Sequence, residues 1–163
     1  MSKTIEKTLI LLNKAKISIT CFESASAGFL AYKLSQSRYS GVILYASLVC
    51  YDLEVKKNIL KISPKLIKKY TAESEEITIE MIRKGKKIFQ SDMYIACTGL
   101  VKKGGSENKE KPVGTLFYVI YYEGNYYSYR ILTSGKPQKK LNTLFLEICK
   151  SINYILRTNV KKL

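Results

Sequence analysis

Apolar residues recur at helical spacing over residues 4–15, with Ile5, Leu9, Leu12 and Ala15 on one face, so the chain is expected to open with a helix. Ile17 to Phe22 then reads as a short strand running straight into the turn Glu23-Ser24-Ala25-Ser26-Ala27-Gly28. The small and apolar residues from Ala25 to Leu34 suit a helix packed on a sheet. Tyr39-Ser40-Gly41 interrupts the chain, and Val42 to Cys50 reads as a buried strand. Helices are expected at Leu53–Leu60 and at Pro64–Tyr70, the second with Ser63 as cap and Pro64 in its first position. Ser74 is placed to cap a third, with Glu75 and Glu76 in its first turn and Ile77, Met81 and Ile88 facing inward. Met93 to Cys97 reads as another buried strand, followed by a polar, glycine-bearing loop from Thr98 to Pro112. Two alternating runs, Gly114–Tyr122 and Tyr126–Leu132, flank Glu123-Gly124-Asn125 and predict a hairpin, and an amphipathic helix from about Gln138 to Arg157 ends the pattern. Strands alternating with helices predict an α/β fold: one three-layer α/β/α domain over residues 1–163, with a mixed, mostly parallel β-sheet.

Composition narrows the chemistry. The chain has 163 residues, 46% of them hydrophobic, enough to fill one core. No apolar run reaches the roughly 20 residues of a membrane helix, and Met1-Ser2-Lys3-Thr4 does not begin a secretory signal, so a cytoplasmic protein without a membrane partner is expected. Cysteines stand at 21, 50, 97 and 149 without CxxC spacing, and there is no histidine. Cys21, Cys50 and Cys97 therefore read as small buried hydrophobes, and no metal or cofactor is expected. Without histidine, acid–base chemistry must come from Lys, Tyr, Asp or Glu. The net charge of +15 is carried mostly by lysine, arginine occurring only at 38, 83, 130 and 157. The lysines are scattered along the sequence and form no single block, which makes a nucleic-acid partner the weaker reading of that charge.

In a sheet of this kind, sites form where loops leave the carboxyl ends of strands. Three loops qualify. After Phe22, Ser24 and Ser26 can each present a hydroxyl near the free amides of a helix's first turn, as a nucleophile or as a plain helix cap. After Cys50, Tyr51 and Lys56 lie within one short helix of each other; a desolvated lysine can replace histidine as the base for a serine. After Cys97, glycines and hydroxyls beside basic residues can accept a phosphate, or form an ordinary surface loop.

Taken in order, these segments resemble the CinA C-terminal domain family, the nicotinamide mononucleotide deamidases. The family's Glu-Ser-Cys-Thr-Gly-Gly turn corresponds to Glu23–Gly28, and its strand-end Tyr with Lys five residues on to Tyr51 and Lys56. Its Ala-Val-Ser-Glu helix start corresponds to Ala72-Glu73-Ser74-Glu75. Its Thr-Gly-Ile loop and Glu-Lys-Pro-Val-Gly-Thr segment correspond to Thr98-Gly99-Leu100 and Glu110–Thr115. The resemblance implies a serine–lysine amidohydrolase that converts nicotinamide mononucleotide to nicotinate mononucleotide and ammonia without metal or cofactor. It implies Ser24 as nucleophile, Lys56 as base and Tyr51 as proton-transfer partner. Glu23, Ser26, Ala27, Gly28, Thr98, Gly99, Lys111, Gly114 and Thr115 would bind the nucleotide, and the protein would self-associate as a stand-alone form of the domain. The chain departs from the pattern at Ala25-Ser26-Ala27 and Val101-Lys102-Lys103. It also lacks arginine in Gly135–Lys140, where the family has Gly-Asp-Arg. Those departures frame the alternative, a family member that binds nucleotide, or acts as an accessory protein, with impaired turnover.

Overall fold

A computed structural model describes residues 2–160. Its sheet has five strands: β1 (Ile19–Glu23), β2 (Leu44–Val49), β3 (Met93–Gly99), β4 (Thr115–Tyr122) and β5 (Asn125–Leu132). They lie in the order β2-β1-β3-β4-β5, with β1 parallel to both β2 and β3 and antiparallel pairing from β3 through β5. The sheet is mixed as expected: β4 alone runs against the other strands, and the pairings divide equally between parallel and antiparallel.

Helices cover both faces, as the expected three layers require. On one side α1 (Lys3–Lys14), α2 (Phe29–Ser35) and α7 (Pro137–Val160) bury Leu9, Leu12, Leu30, Leu34 and Ile148 against Ile19, Cys21 and Ile95. On the other, α6 (Glu75–Gly85) buries Ile77 and Met81 against Phe22, Ala96 and Val119, with α4 (Leu53–Asn58) and α5 (Pro64–Tyr70) leading into it. Ser74 caps α6 as its position predicts, its hydroxyl accepting from the Ile77 amide. Glu123 and Gly124 both take positive φ, so the β4–β5 hairpin turns on two residues of type I′ and β5 begins at Asn125. Among the described residues no helix is long and apolar enough to cross a membrane.

Two expectations need correction. Val42–Cys50 is not one buried strand. Its first residues belong to α3 (Ser40–Ile43), and β2 is an edge strand leaving Tyr45 and Val49 exposed. A continuous apolar run is ambiguous between a central strand and an edge; β2 has β1 on only one side. Ile88 is exposed because α6 stops at Gly85, before that residue can join the inner face.

Strand β1 is buried along its whole length, and its neighbours' ends are in register with its own: Glu23 pairs with Val49 on one side and Cys97 on the other. The connections from β1, β2 and β3 therefore leave from one end of the sheet, on either side of a strand-order reversal at β1. That crevice is where an α/β sheet places a ligand.

Candidate active site

The turn after β1 is organised by Glu23. By strand alternation Glu23 shares the face of Ile19 and Cys21, so its carboxylate points into the core, where it is fully buried. It accepts five hydrogen bonds: Ser26 Oγ (2.6 Å), Ser47 Oγ (3.0 Å) and the amides of Gly28 (3.0 Å), Leu30 (2.9 Å) and Ala31 (2.9 Å). An acceptor-only group thus takes the orphan donors at the start of α2, which has no capping side chain of its own. The chain reaches this geometry through two left-handed residues, Ala27 (φ 49°) and Gly28 (φ 95°). For Ala27 that conformation costs about 1 kcal/mol, which a glycine would not incur.

The turn resolves the choice between its two serines. Ser26 Oγ donates to Glu23 and lies 3.0 Å from Cys97 Sγ, so the thiol is left to donate to Ser26. Ser26 is 2% exposed and fully engaged. Ser24 is held differently: its amide donates to the Cys97 carbonyl (3.1 Å), tying it across to β3. Its Oγ accepts from Lys56 Nζ at 2.9 Å. The Ala25 amide has no acceptor among the described residues and that of Ser26 faces the Cys97 thiol, whereas those of Ser24, Ala27, Gly28, Phe29, Leu30 and Ala31 all have oxygen acceptors.

Lys56 comes from the second loop. Asp52 caps α4 by accepting from the Glu54 amide (2.7 Å), which sets the helix so that Lys56, one turn on, points inward. The side chain is 1% exposed, and Nζ also donates to the Cys50 carbonyl (2.5 Å). Burial pushes its pKa below the ordinary lysine value, opposed by Cys50, Glu73 and Asp52 nearby. A buried amine with no ion pair among the described residues, aimed at a serine hydroxyl, is equipped to take a proton. Tyr51 lines the opening, 57% exposed, and its hydroxyl is bonded to neither Ser24 nor Lys56. Its ring forms an aromatic wall of the opening, apart from the Ser24–Lys56 pair.

Ser24, Ala25, Ala27 and Tyr51 open onto a cleft of about 430 Å³ whose far wall is Gly99 to Gly105, with Pro137 and Leu141 of α7. A second hollow of about 390 Å³ shares Tyr51, Glu73, Gly104 and Gly105 with it and reaches Lys56. The cationic side chains on the cleft wall are Lys102 and Lys103. Lys140, in the segment without arginine, is instead buried and donates to the Val101 carbonyl (2.7 Å), fastening α7 to that wall. Among the described residues no group of three His, Cys, Asp or Glu could hold a metal ion.

Several residues expected to touch a nucleotide support the cleft from behind. Glu23 and Gly28 serve the turn as described. Thr98 is fully buried, bonded to Thr78 Oγ1 (2.8 Å), and ties β3 to α6. Lys111 Nζ is spent on Thr71 Oγ1 (2.8 Å), the Glu73 carbonyl (2.8 Å) and Ser106 Oγ (2.7 Å). Gly114 (φ 105°) packs against Thr133, where a side chain would meet the carbonyl at 2.1 Å, and Thr115 is 1% exposed with its backbone bonded to Leu100 and Pro112. Gly99 does line the cleft, and a side chain there would strike the Thr115 carbonyl at 2.6 Å. In the loop whose glycines could accept a phosphate or form an ordinary surface loop, the amides of Gly104 and Gly105 bind the Glu107 carboxylate (2.9 and 2.8 Å). These hydrogen bonds hold the Glu107 carboxyl below the usual carboxylate range. Sequence reasoning passed over Glu73, which lies on both hollows; its signal was an acidic residue just ahead of the α6 cap.

Comparison with known proteins places the chain in a family and agrees with the fold. The sequence model of the CinA C-terminal domain matches residues 1–150. A CinA-like protein of Pseudothermotoga lettingae is 34% identical over 119 residues, covering 72% of this chain and 29% of that protein. One from Prochlorococcus marinus (strain MIT 9515) is 30% identical, covering 98% and 38% respectively. The chain thus spans about a third of the length of the curated relatives it matches. Among solved structures, a competence-damaged protein (CinA) superfamily protein from Klebsiella pneumoniae shares the fold with a TM-score of 0.87 at 21% identity, over 96% of this chain and 99% of that one. Another from Enterobacter cloacae superimposes with a TM-score of 0.76 at 27% identity, over 98% and 90%.

Proposed function

The chain belongs to the CinA C-terminal domain family, and on that premise we propose that its cleft deamidates nicotinamide mononucleotide to nicotinate mononucleotide and ammonia. The observation that carries the reading is the pair Lys56 Nζ–Ser24 Oγ at 2.9 Å, with the amine buried and without an ion pair among the described residues. In its neutral form Lys56 takes the Ser24 proton as Oγ attacks the carboxamide carbon. The Cys50 carbonyl holds the amine in place throughout. The unpaired Ala25 amide is the donor available to the oxyanion of the tetrahedral intermediate, with the Ser26 amide, which faces the Cys97 thiol, beside it. Lys56 then returns the proton to the departing nitrogen, the C–N bond breaks, and ammonia leaves an ester on Ser24. Water attacks that ester, giving one proton to Lys56, which passes it back to Ser24 Oγ as the carboxylic acid is released; the acid ionises to nicotinate mononucleotide, its proton taken up by ammonia in solution.

A nucleotide-binding protein without turnover is the second reading. It is favoured by the absence of arginine in Gly135–Lys140 and the engagement of Lys140 with Val101. One assay separates the two. Purified protein is mixed with nicotinamide mononucleotide and ammonia is followed, with Ser24→Ala in parallel. Turnover that falls at least about 1,000-fold in Ser24→Ala supports the dyad. No ammonia at high protein concentration overturns the deamidase reading, and activity surviving Ser24→Ala overturns the nucleophile assignment.

A further inference from the structure

Glu73 is the one acidic residue among those lining either hollow of the cleft, the cationic ones being Lys56, Lys102 and Lys103. Its carboxylate is fixed: Oε2 accepts from Ser106 Oγ (2.5 Å), and Ser106 is held in turn by Lys111 Nζ (2.7 Å). It makes no direct ion pair among the described residues, although its charge acts on both Lys56 and Lys111 nearby, opposing the burial that lowers their pKa values. None of the four ion pairs among those residues includes it, and Lys111 bonds to its backbone carbonyl and to Ser106, not to the carboxylate itself. In a chain of net charge +15 a carboxylate could readily be paired with a lysine. This one instead lines the same two hollows as Tyr51, whose exposed ring offers a flat π face. A carboxylate and an aromatic face, with lysines farther along the wall, complement a flat cation that carries an anionic tail.

We infer that Glu73 is a specificity-determining residue of this cleft, its carboxylate selecting amides borne on a positively charged ring. The inference rests on the deamidase reading, whose substrate carries its carboxamide on an N-alkylated pyridinium. It adds that the ring's charge, and not only its shape and phosphate, is read, and that the residue reading it stands where the family pattern has valine.

The test uses Ser24→Ala protein, so that binding is measured without turnover. Calorimetry compares nicotinamide mononucleotide with its dihydro form, which keeps the carboxamide and the phosphate while its ring is neutral. The pyridinium form is expected to bind about tenfold more tightly. Adding Glu73→Gln, which still accepts from Ser106, is expected to weaken the pyridinium form alone and bring the two within about twofold. Unchanged affinity for the dihydro form then reports an intact cleft. Adding Ser106→Ala instead, which removes the carboxylate's hydroxyl partner but not its charge, should leave the preference standing. Equal affinity for the two rings before Glu73 is changed, a preference that survives Glu73→Gln, or its equal loss in Ser106→Ala would each overturn the inference. Ammonia release by the unsubstituted protein without ring discrimination in this test would sink this inference and leave the deamidase reading in place. Ring discrimination without ammonia release would do the reverse, and no binding of either form together with no ammonia would remove both.

Discussion

The loops after β1 and β3 face each other across the cleft, and each is organised by a carboxylate that collects backbone amides. In the first, Glu23 is fully buried and takes five donors, three of them amides of the turn and helix that follow Ser24. In the second, Glu107 is half-buried and takes two, both exposed to water, while Lys111 and Ser106 fasten the loop to Thr71 and Glu73. The first arrangement belongs to the core and fixes the nucleophile; the second lies on the surface and positions the opposite wall. A water-exposed tie is worth far less than a buried one, because water offers the separated partners a substitute. The chemical half of the cleft is therefore rigid, and the ligand-facing half is adjustable.

The sharpest way to break that contrast is Glu23→Ala. It strands five donors in the core, and a loss of roughly 3–5 kcal/mol in denaturant unfolding is expected, together with loss of any activity. A loss below about 1 kcal/mol would mean that the first loop is not core-like after all.

Lys56→Met probes the same half by charge. Burial holds the Lys56 pKa below its unfolded value of 10.5, so between the two values the unfolded chain binds more protons than the folded one. Stability therefore rises with pH across that window and carries the full penalty below it. Lys56→Met should flatten this part of the profile and at neutral pH leave the protein as stable or about 1 kcal/mol more stable, while abolishing turnover. Urea midpoints followed from neutral pH toward the thiol range check the slope; an unaltered slope would place Lys56 in water.

The smallest effect is expected on the other wall. Lys111→Met removes three hydrogen bonds from a part-buried amine and should cost about 1 kcal/mol or less. It should raise KM a few-fold with kcat nearly unchanged, as expected for a residue that positions ligand-facing loop and touches no reacting atom. Steady-state kinetics on nicotinamide mononucleotide would separate the two constants, and a fall in kcat as large as that of Lys56→Met would erase the distinction between the loops.

Much of the fold was legible in the sequence because local periodicity and caps carry it. The α1 stripe, Ser74 at the head of α6, Pro64 in α5, and the alternation in β4 and β5 all lead to the observed elements. The limits of that reading lie where neighbours decide. Nothing local to Val42–Cys50 distinguishes a central strand from an edge, and only strand order exposed Tyr45 and Val49. In the site, Ser24 and Lys56 were legible through the resemblance, whereas the residues of the turn alone left Ser24 and Ser26 both open; Glu23 holds Ser26. Glu23 itself was assigned to ligand; the alternation that puts it on the face of Ile19 and Cys21 was the available signal for its burial. Lys111, Thr98 and Thr115 sit in ligand-binding segments of the resembled family, yet their side chains face the protein's interior or its loops.

The sequence by itself determined the succession of helices and strands, the absence of histidine that throws acid–base work onto lysine, and the family to which the ordered segments correspond. Those are properties of local pattern and residue type. Tertiary structure decided which serine meets the lysine, which amides stay free, and which carboxylate faces the cleft. Each depends on partners 20 to 100 residues apart: Lys56 on Ser24, Cys97 on Ser26, Ser106 on Glu73. A hydrogen bond is set by distance and direction between atoms, and separation along the chain specifies neither until the sheet has brought the ends of β1, β2 and β3 together.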